Sequence, residues 1–236
     1  MNKIYKMMGI VAACVSLSAC NDWLDVNPSD QYSTDTFWAT DVNAKAGLMG
    51  CYNALDPWKF LHTMEFDMIT ANAMPYNEAN GTQAIGKGEH LSTTGLIVSL
   101  WKNCYVGIGR VNTFIANVPR VEMDETEKAA MIGEAKFLRA FYYLNLVDKF
   151  GGVPLITDEP NADTQATLPR NTKEECVAQI IQDLDDAIAV LPESYDDSNL
   201  GRATKGAALA LKARVCLYNE RWTEAAAAAK EVMDSG

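Results

Sequence analysis

Apolar residues recur every three to four positions through most of the chain after residue 40, a spacing that predicts amphipathic helices. The run from Val153 to Thr157 is extended in character but too short to support a sheet. The pattern therefore predicts a mainly α fold. The segments with the helical period are 41–56, 96–118, 124–150, 172–191, 203–218 and 223–234.

Several predicted helices begin or end at residues that favour capping. Asp41 is the predicted N-cap of the first helix, and Gly151 with Pro154 ends the helix that reaches Phe150. Thr172 and Glu175 have the spacing of a capping box. These residues indicate helix boundaries independently of the apolar stripes.

The last two predicted helices, at 203–234, have the alternation of small and large residues that is typical of a tetratricopeptide repeat. Alanines on both helices allow a close antiparallel approach, and Trp222 is predicted to fill the space beside the turn. Trp101, Tyr105 and Tyr142 also lie on helix stripes and are predicted to be core residues. Such a pair of helices buries both faces only by stacking on neighbouring helices.

The first twenty residues follow a different pattern. Two lysines precede an apolar run from Met7 to Ala19, which is shorter than the roughly 20 residues that a membrane span needs. Cys20 follows the small residues Ser18 and Ala19, as in a bacterial lipobox. We interpret residues 1–19 as a lipoprotein signal peptide and Cys20 as the lipidated residue. The alternative is an ordinary signal peptide followed by a chance cysteine.

The charge balance limits the possible partners. The signal peptide holds two of the 20 basic residues and none of the 31 acidic ones, which leaves the mature chain a formal net charge of −13. Phosphate binding draws on clustered Lys and Arg, so this balance argues against nucleic acid. It also disfavours attachment to anionic lipid through the protein surface. Membrane attachment is therefore assigned to acyl chains at Cys20.

The mature chain has four cysteines besides Cys20. An exported protein can form disulfides, and four cysteines allow three pairings. None of them belongs to a Cys-x-x-Cys pair, and each lies in an apolar or helical stretch. We favour buried thiols that pack as small apolar residues, with disulfides as the alternative. These cysteines are Cys51, Cys104, Cys176 and Cys216.

Residues 72–92 have no sustained period and are rich in Gly, Pro and Asn, which predicts a long loop. Sugar recognition uses flat aromatic faces for ring C–H groups and amides for hydroxyls. Tyr76, Asn77 and Asn80 supply this mixture, with Trp58 upstream. We take these four as candidate ligand-binding residues; the alternative is a polar surface loop with one scattered aromatic.

The sequence offers little catalytic or metal-binding chemistry. His62 and His90 have no cysteine or acidic pattern of a zinc site around them, and no Gly-x-Ser-x-Gly elbow occurs. Asp185 and Asp186 lie on the polar face of a helix, and Asp196–Asn199 lacks the closing glutamate of an EF-hand. We therefore predict no enzyme activity, no cofactor and no metal.

Taken together, these features resemble one family. The run EAKFLRAFYYLNLVDKFGGVPL, from Glu134 to Leu155, is similar to the most characteristic helix of SusD/RagB-type outer-membrane lipoproteins. The likeness spans residues 20–236. Four further segments resemble that family in the expected order: CNDWLDVNP at 20–28; Trp101, Tyr105, Ile108 and Asn112; LPR at 168–170 with the helix that reaches Ala187; and GRATKGA at 201–207.

The resemblance implies a tetratricopeptide-type helical scaffold with long irregular loops, held at the cell outer membrane by acyl chains such as palmitate. SusD-like proteins of Bacteroidota are not enzymes. They bind oligosaccharides or other nutrients and cover a SusC-like TonB-dependent β-barrel transporter. The implied segments are the signal peptide at 1–19, an extended arm at 20–40 and a SusD-like domain at 41–236. Family members are longer, so we expect this chain to be an N-terminal portion.

Two other functions remain open on the sequence. A tetratricopeptide-type scaffold lipoprotein would bind protein or peptide partners in a helical groove and no sugar. A lipoprotein glycosidase would need a deeply buried pair of carboxylates.

We expect the substitution Cys20→Ala to abolish acylation and to move the protein from the membrane to the aqueous phase, because the thiol is the acceptor of the lipid. The intact mass of protein extracted from membranes measures the attached acyl chains. Cys14→Ala is the matched control, since Cys14 leaves with the signal peptide and its loss should not change the mature mass. An unacylated wild-type protein would contradict the assignment.

Overall fold

A computed structural model of the chain describes residues 34–55, 63–76 and 80–235. The chain divides into two units between Phe37 and Trp38. In the first unit the structure describes the short helix α1 (Thr34–Phe37). The helices of the second unit are α2 (Asp41–Tyr52), α3 (Thr63–Asp67), α4 (Thr82–Gly86), α5 (Gly95–Asn117), α6 (Glu125–Phe150), α7 (Ala162–Gln165), α8 (Lys173–Val190), α9 (Lys205–Tyr218) and α10 (Trp222–Asp234).

The mainly α fold is confirmed, and the described residues contain no strand. Helix α6 packs against α5 and α8, α8 packs against α9, and α9 packs against α10. Helix α2 packs against α5 and α6. The predicted stripe of α6 is fully buried, which is the burial that drives these helices together: Met131, Ala135, Leu138, Tyr142 and Leu146.

The predicted helix ends are confirmed in most cases. Thr172 and Glu175 form the capping box, in which the Glu175 amide donates to Thr172 Oγ1 at 3.2 Å and the Thr172 amide donates to Glu175 Oε2 at 2.8 Å. Gly151 follows α6 with a φ of 70°, a conformation that glycine adopts without strain. The N-cap of α2 is Thr40 and not Asp41, because the extended Thr40 places its hydroxyl to accept from the Asn43 amide at 3.2 Å.

Two further expectations were wrong in part. The predicted loop at 72–92 contains the short helix α4, which begins after the left-handed Gly81. Trp222 is 61% exposed and does not fill a space in the core. Ala225 and Ala228 are the buried residues of α10, so the contact with α9 is made by small side chains and leaves the indole at the surface.

Helices α5 and α6 are in close contact where a glycine faces a buried ring. A Cβ at Gly107 would lie 2.5 Å from Tyr142 Cζ, so only glycine fits against this ring. Tyr142 is fully buried, and its hydroxyl donates to the Cys51 carbonyl at 3.0 Å. The tyrosine therefore ties α2 to the α5–α6 pair.

All four mature cysteines outside the lipobox are buried free thiols, as the apolar surroundings indicated. Burial raises the pKa of both Cys51 and Cys104 to about 12, so these thiols stay protonated at neutral pH. None of the described helices is both long enough and apolar enough to cross a membrane.

We expect Gly107→Ala to destabilise the protein by about 1–3 kcal/mol, because the added methyl must displace the Tyr142 ring. That loss exceeds the gain of about 1 kcal/mol that alanine has over glycine in a helix. Denaturant unfolding followed by circular dichroism measures the net change in the free energy of unfolding. Gly50→Ala in α2 is the control, because a Cβ there meets nothing within 4 Å and the variant should be as stable as the wild type or more so. Equal midpoints for the two variants would refute the close contact.

Candidate functional site

Among the residues that the structure describes, the most deeply buried ion pair joins α6 to α8. Arg139 Nε and Nη2 donate to the two Asp183 carboxylate oxygens at 2.8 and 2.7 Å. Arg139 Nη1 also donates to Asn112 Oδ1 on α5 at 3.0 Å. The Asn112 amide in turn donates to the carbonyls of Ile156 and Asp158, at 2.8 and 3.0 Å. The network thus holds three helices and the segment that follows α6.

A second buried carboxylate has a similar set of partners. Glu134 is fully buried and accepts from Arg202 Nε at 3.0 Å and from the Tyr52 hydroxyl at 2.7 Å. The same hydroxyl oxygen accepts from the Ala203 amide at 2.8 Å. Burial, together with the neighbouring Glu134 charge, raises the pKa of Tyr52. The Arg202 guanidinium lies 4.7 Å from the Tyr195 ring centroid.

The charged residues of these two networks lie in segments that resemble the SusD/RagB family. Their charged groups are paired and hydrogen-bonded inside the protein, as buried charges must be. We therefore assign them to the fold and not to a ligand site.

An open cavity of about 730 Å³ lies where the start of α5 meets the end of α6. We call it the aromatic cavity. Its apolar wall is formed mainly by Phe66, Ile69, Ile85, Leu96, Trp101 and Phe150. Its polar lining residues are His90, Ser92, Lys102, Lys149 and Arg170.

The aromatic wall is held by packing between two helices. The Trp101 and Phe150 rings meet edge to face with centroids 5.1 Å apart, and Trp101 also lies 5.2 Å from the Tyr105 ring. The Tyr105 hydroxyl donates to the Pro154 carbonyl at 2.8 Å, which fixes the segment after α6 against α5. These contacts hold the aromatic side chains in place at the cavity wall.

Two of the cations at this cavity lie against aromatic rings. The Arg170 guanidinium is 5.6 Å from the Trp101 centroid, and Lys149 Nζ is 5.2 Å from the Phe66 centroid. Such contacts orient a cation without neutralising it. Lys149 also pairs with its neighbour Asp148.

The structure describes two of the four candidate ligand residues, because Trp58 and Asn77 lie outside the described residues. Tyr76 is fully exposed, and Asn80 is an exposed residue with a φ of 56°. The Asn80 carbonyl accepts from the Leu96 amide at 2.9 Å, which fixes this turn to the start of α5. Neither Tyr76 nor Asn80 lines the aromatic cavity.

A second depression, of about 510 Å³, lies along the same loop region. It is lined by residues 68–75 and by four residues of the α4 region, among them Thr82 and Gln83. Pro75 and Thr82 stand on either side of Tyr76 and Asn80 in the sequence. The loop that was predicted to hold ligand-binding residues therefore adjoins a concave surface.

The sequence did not indicate Trp101 as a residue of this cavity. Its place on the apolar stripe of α5 predicted a core side chain, but it is half-buried and forms part of the cavity wall. Helical periodicity indicates the face on which a residue lies, and not whether the neighbouring element leaves a gap. The adjacent Trp101 and Lys102, in the second turn of the helix that follows a long loop, are the signal that could have marked the position.

The acidic residues and histidines named as possible catalytic or metal-binding groups form no such site in the described residues. Asp185 pairs with Lys212 and Asp186 with Lys136. His90 lines the aromatic cavity, whereas His62 lies outside the described residues. Within residues 34–55, 63–76 and 80–235 no cluster of three or more His, Cys, Asp or Glu could hold a metal ion.

Asp196 also bonds within its own turn. Its carboxylate accepts from Ser198 Oγ at 2.7 Å and from Asn199 Nδ2 at 2.9 Å. These bonds lower the pKa of Asp196. The acidic run at 196–199 therefore stabilises a surface turn.

A family model described as SusD-like, starch-binding and associating with the outer membrane matches residues 22–217. The chain is 30% identical over 210 residues to SusD-like protein P38 of Formosa agariphila, which covers 86% of this chain and 40% of that protein. It is 28% identical to SusD-like protein P2 of the same organism, which covers 99% of this chain and 46% of that protein. The chain spans less than half the length of these relatives.

Solved structures show the same similarity. A laminarin binding SusD-like protein is 32% identical, with a TM-score of 0.76 over 82% of this chain and 43% of that chain. A SusD-like carbohydrate binding protein from Bacteroides fragilis is 27% identical, with a TM-score of 0.79 over 85% of this chain and 42% of that chain.

We expect Asp183→Asn to destabilise the protein by about 3–5 kcal/mol, because it leaves the Arg139 charge buried without its partner. Denaturant unfolding measures the change. Asp185→Asn on the same helix removes one exposed ion pair and should cost less than about 1 kcal/mol. Similar losses in the two variants would show that burial of the Arg139–Asp183 pair does not decide stability.

Proposed function

The chain belongs to the SusD-like family, and from that membership we propose that it binds glycans at the bacterial surface and delivers them to a SusC-like TonB-dependent outer-membrane transporter. Its relatives of known structure include a laminarin binding protein and a carbohydrate binding protein. The observation that carries the proposal for this chain is the aromatic cavity, a concave site with aromatic side chains in its wall and polar groups at its edge.

Glycan binding fits the chemistry of this cavity. Sugar rings present C–H faces that pack on aromatic rings, and their hydroxyls accept and donate hydrogen bonds around the edge. Trp101 and Phe150 supply the rings, while Ser92, His90 and the cations supply hydrogen-bonding groups. We propose that the aromatic cavity is the primary binding surface.

The loop after α3 extends this proposed site. We propose that Tyr76, Asn77, Asn80 and Trp58 contact further sugar units of a longer chain. The full exposure of Tyr76 supports this role, because an exposed phenol ring is free to stack on a ligand.

The proposal also includes how the protein is attached to the membrane and how the glycan reaches the transporter. Cys20 would hold the protein to the outer membrane through its acyl chains, with residues 20–40 as an arm between the lipid and the helical domain at 41–236. The helical repeat face would then lie on the transporter barrel while the loops hold the glycan. Capture requires no bond to be made or broken, so we propose no catalytic residue.

A second candidate function is a scaffold that binds a protein or peptide partner and no sugar. It is supported by large apolar residues that are exposed on the last two helices, since exposed apolar surface favours contact with another protein. These residues are Leu217, Tyr218, Trp222 and Met233, which are 51–73% exposed.

We expect Trp101→Ala to weaken glycan affinity by up to about tenfold, because it removes an aromatic face from the cavity. Affinity electrophoresis against neutral and acidic polysaccharides measures the effect on the polysaccharide that retards the wild-type protein most. Trp222→Ala is the matched control, because it removes an exposed indole on α10. Circular dichroism should show both variants folded.

The outcomes separate the two candidate functions. Failure of every polysaccharide to retard the wild-type protein would contradict glycan binding. Loss of affinity in Trp222→Ala, with none in Trp101→Ala, would move the site to the last helices. Full affinity in a Tyr76→Ala/Asn77→Ala double variant would remove these two loop residues from the site.

A further inference from the structure

We propose that the aromatic cavity binds an acidic glycan, one whose sugars carry carboxylate or sulfate groups, through a cationic rim formed by Lys102, Lys149 and Arg170. This inference rests on the proposed function and names the substrate class for the same cavity.

The rim concentrates positive charge in a strongly acidic protein. The full chain has 31 Asp and Glu against 20 Lys and Arg. Three of those cations line one cavity, and no carboxylate is among the described residues that line it. Charge of one sign along a concave, partly apolar wall attracts a ligand of the opposite sign. The distribution therefore favours an anion over a neutral sugar chain.

Two of the rim cations keep their charge available. Within the described residues neither Lys102 nor Arg170 forms an ion pair with a carboxylate. Lys149 differs, because it contacts Asp148. Many cations elsewhere in the second unit are paired with carboxylates: Lys45, Lys128, Lys136, Arg139, Arg202, Lys205, Lys212, Arg221 and Lys230.

The rim cations act on groups inside the aromatic wall. Burial raises the pKa of the Tyr105 phenol, and the charge of Arg170 opposes that increase. Burial also raises the pKa of the Cys104 thiol, and Lys149 opposes it in the same way. Arg170 and Lys149 thus lie close enough to α5 to act electrostatically on buried groups of that helix.

The geometry suits a sugar acid in particular. Arg170 lies over the Trp101 ring, so a planar guanidinium is held beside the aromatic wall of the cavity. A guanidinium binds carboxylate or sulfate with two parallel hydrogen bonds. A sugar ring near Trp101 would thus place its acidic substituent within reach of Arg170, with Lys102 as a second, exposed cation at the rim.

The test uses two pairs of polymers that share a backbone and differ in charge, together with three further polysaccharides. The full-length wild-type protein, purified from the cells that make it, is titrated by isothermal calorimetry. The matched pairs are polygalacturonate with its methyl ester and dextran sulfate with dextran. Alginate, laminarin and starch are the further polymers. We expect the tightest binding for an acidic polymer and a steep loss of its affinity at high salt. We expect the esterified or unsulfated partner to bind at least about tenfold more weakly.

Variants assign the effect to the rim. Lys102→Gln/Arg170→Gln should lower the affinity for the acidic polymer by about tenfold or more and leave any binding of a neutral polymer unchanged. Arg214→Gln/Lys230→Gln is the matched control, because it removes two exposed cations that do not line the cavity. All four side chains are exposed, so both double variants should unfold at the wild-type temperature.

Each outcome bears on one claim. Binding of neutral polymers alone would overturn the acidic-glycan inference and leave the proposed function in place. An equal loss in the control variant would show unspecific attraction and would also overturn it. Absence of binding to every polymer would contradict the proposed function itself.

Discussion

The pairing of Arg139 with Asp183 is the contact on which the arrangement of the helices depends. Two charges that are almost wholly removed from water are tolerated only when each meets its partner with good geometry. The two hydrogen bonds between them fix α6 relative to α8, and Asn112 extends the constraint to α5. Apolar stripes alone would permit these helices to slide or rotate. The ion pair selects one register.

This constraint also positions the candidate site. Trp101 lies near the start of α5 and Phe150 is the last residue of α6, so the cavity wall is formed by two helices whose relative position is fixed elsewhere. The segment after α6 is held in turn, because the Tyr143 hydroxyl donates to the Ile156 carbonyl and accepts from the Ile156 amide. Asn171 bonds to Val153 and Leu155, which fixes the residue next to Arg170.

The sequence predicted the parts of this structure that follow from local rules. Helices α5, α6 and α8 were predicted from their apolar period. The capping box was predicted because it depends only on a threonine, Thr172, and a glutamate three residues later, Glu175. The cavity could not be found in this way, because a gap between elements depends on how they pack. Trp101 and Trp222 both lie on stripes, yet one forms a cavity wall and the other lies at the surface.

Every charged group needs either water or a partner of opposite charge, and the buried and rim residues meet this need in different ways. Glu134 and Arg139 are buried, so the cost of removing their charges from water is offset only by partners within the protein. Lys102 and Arg170 are exposed, so water solvates them and no internal partner is required. Their free charge is then available to a ligand, at a wall that the enclosed pairs hold in place. The enclosed pairs thus maintain the scaffold, while the exposed cations at the rim need no partner from the fold.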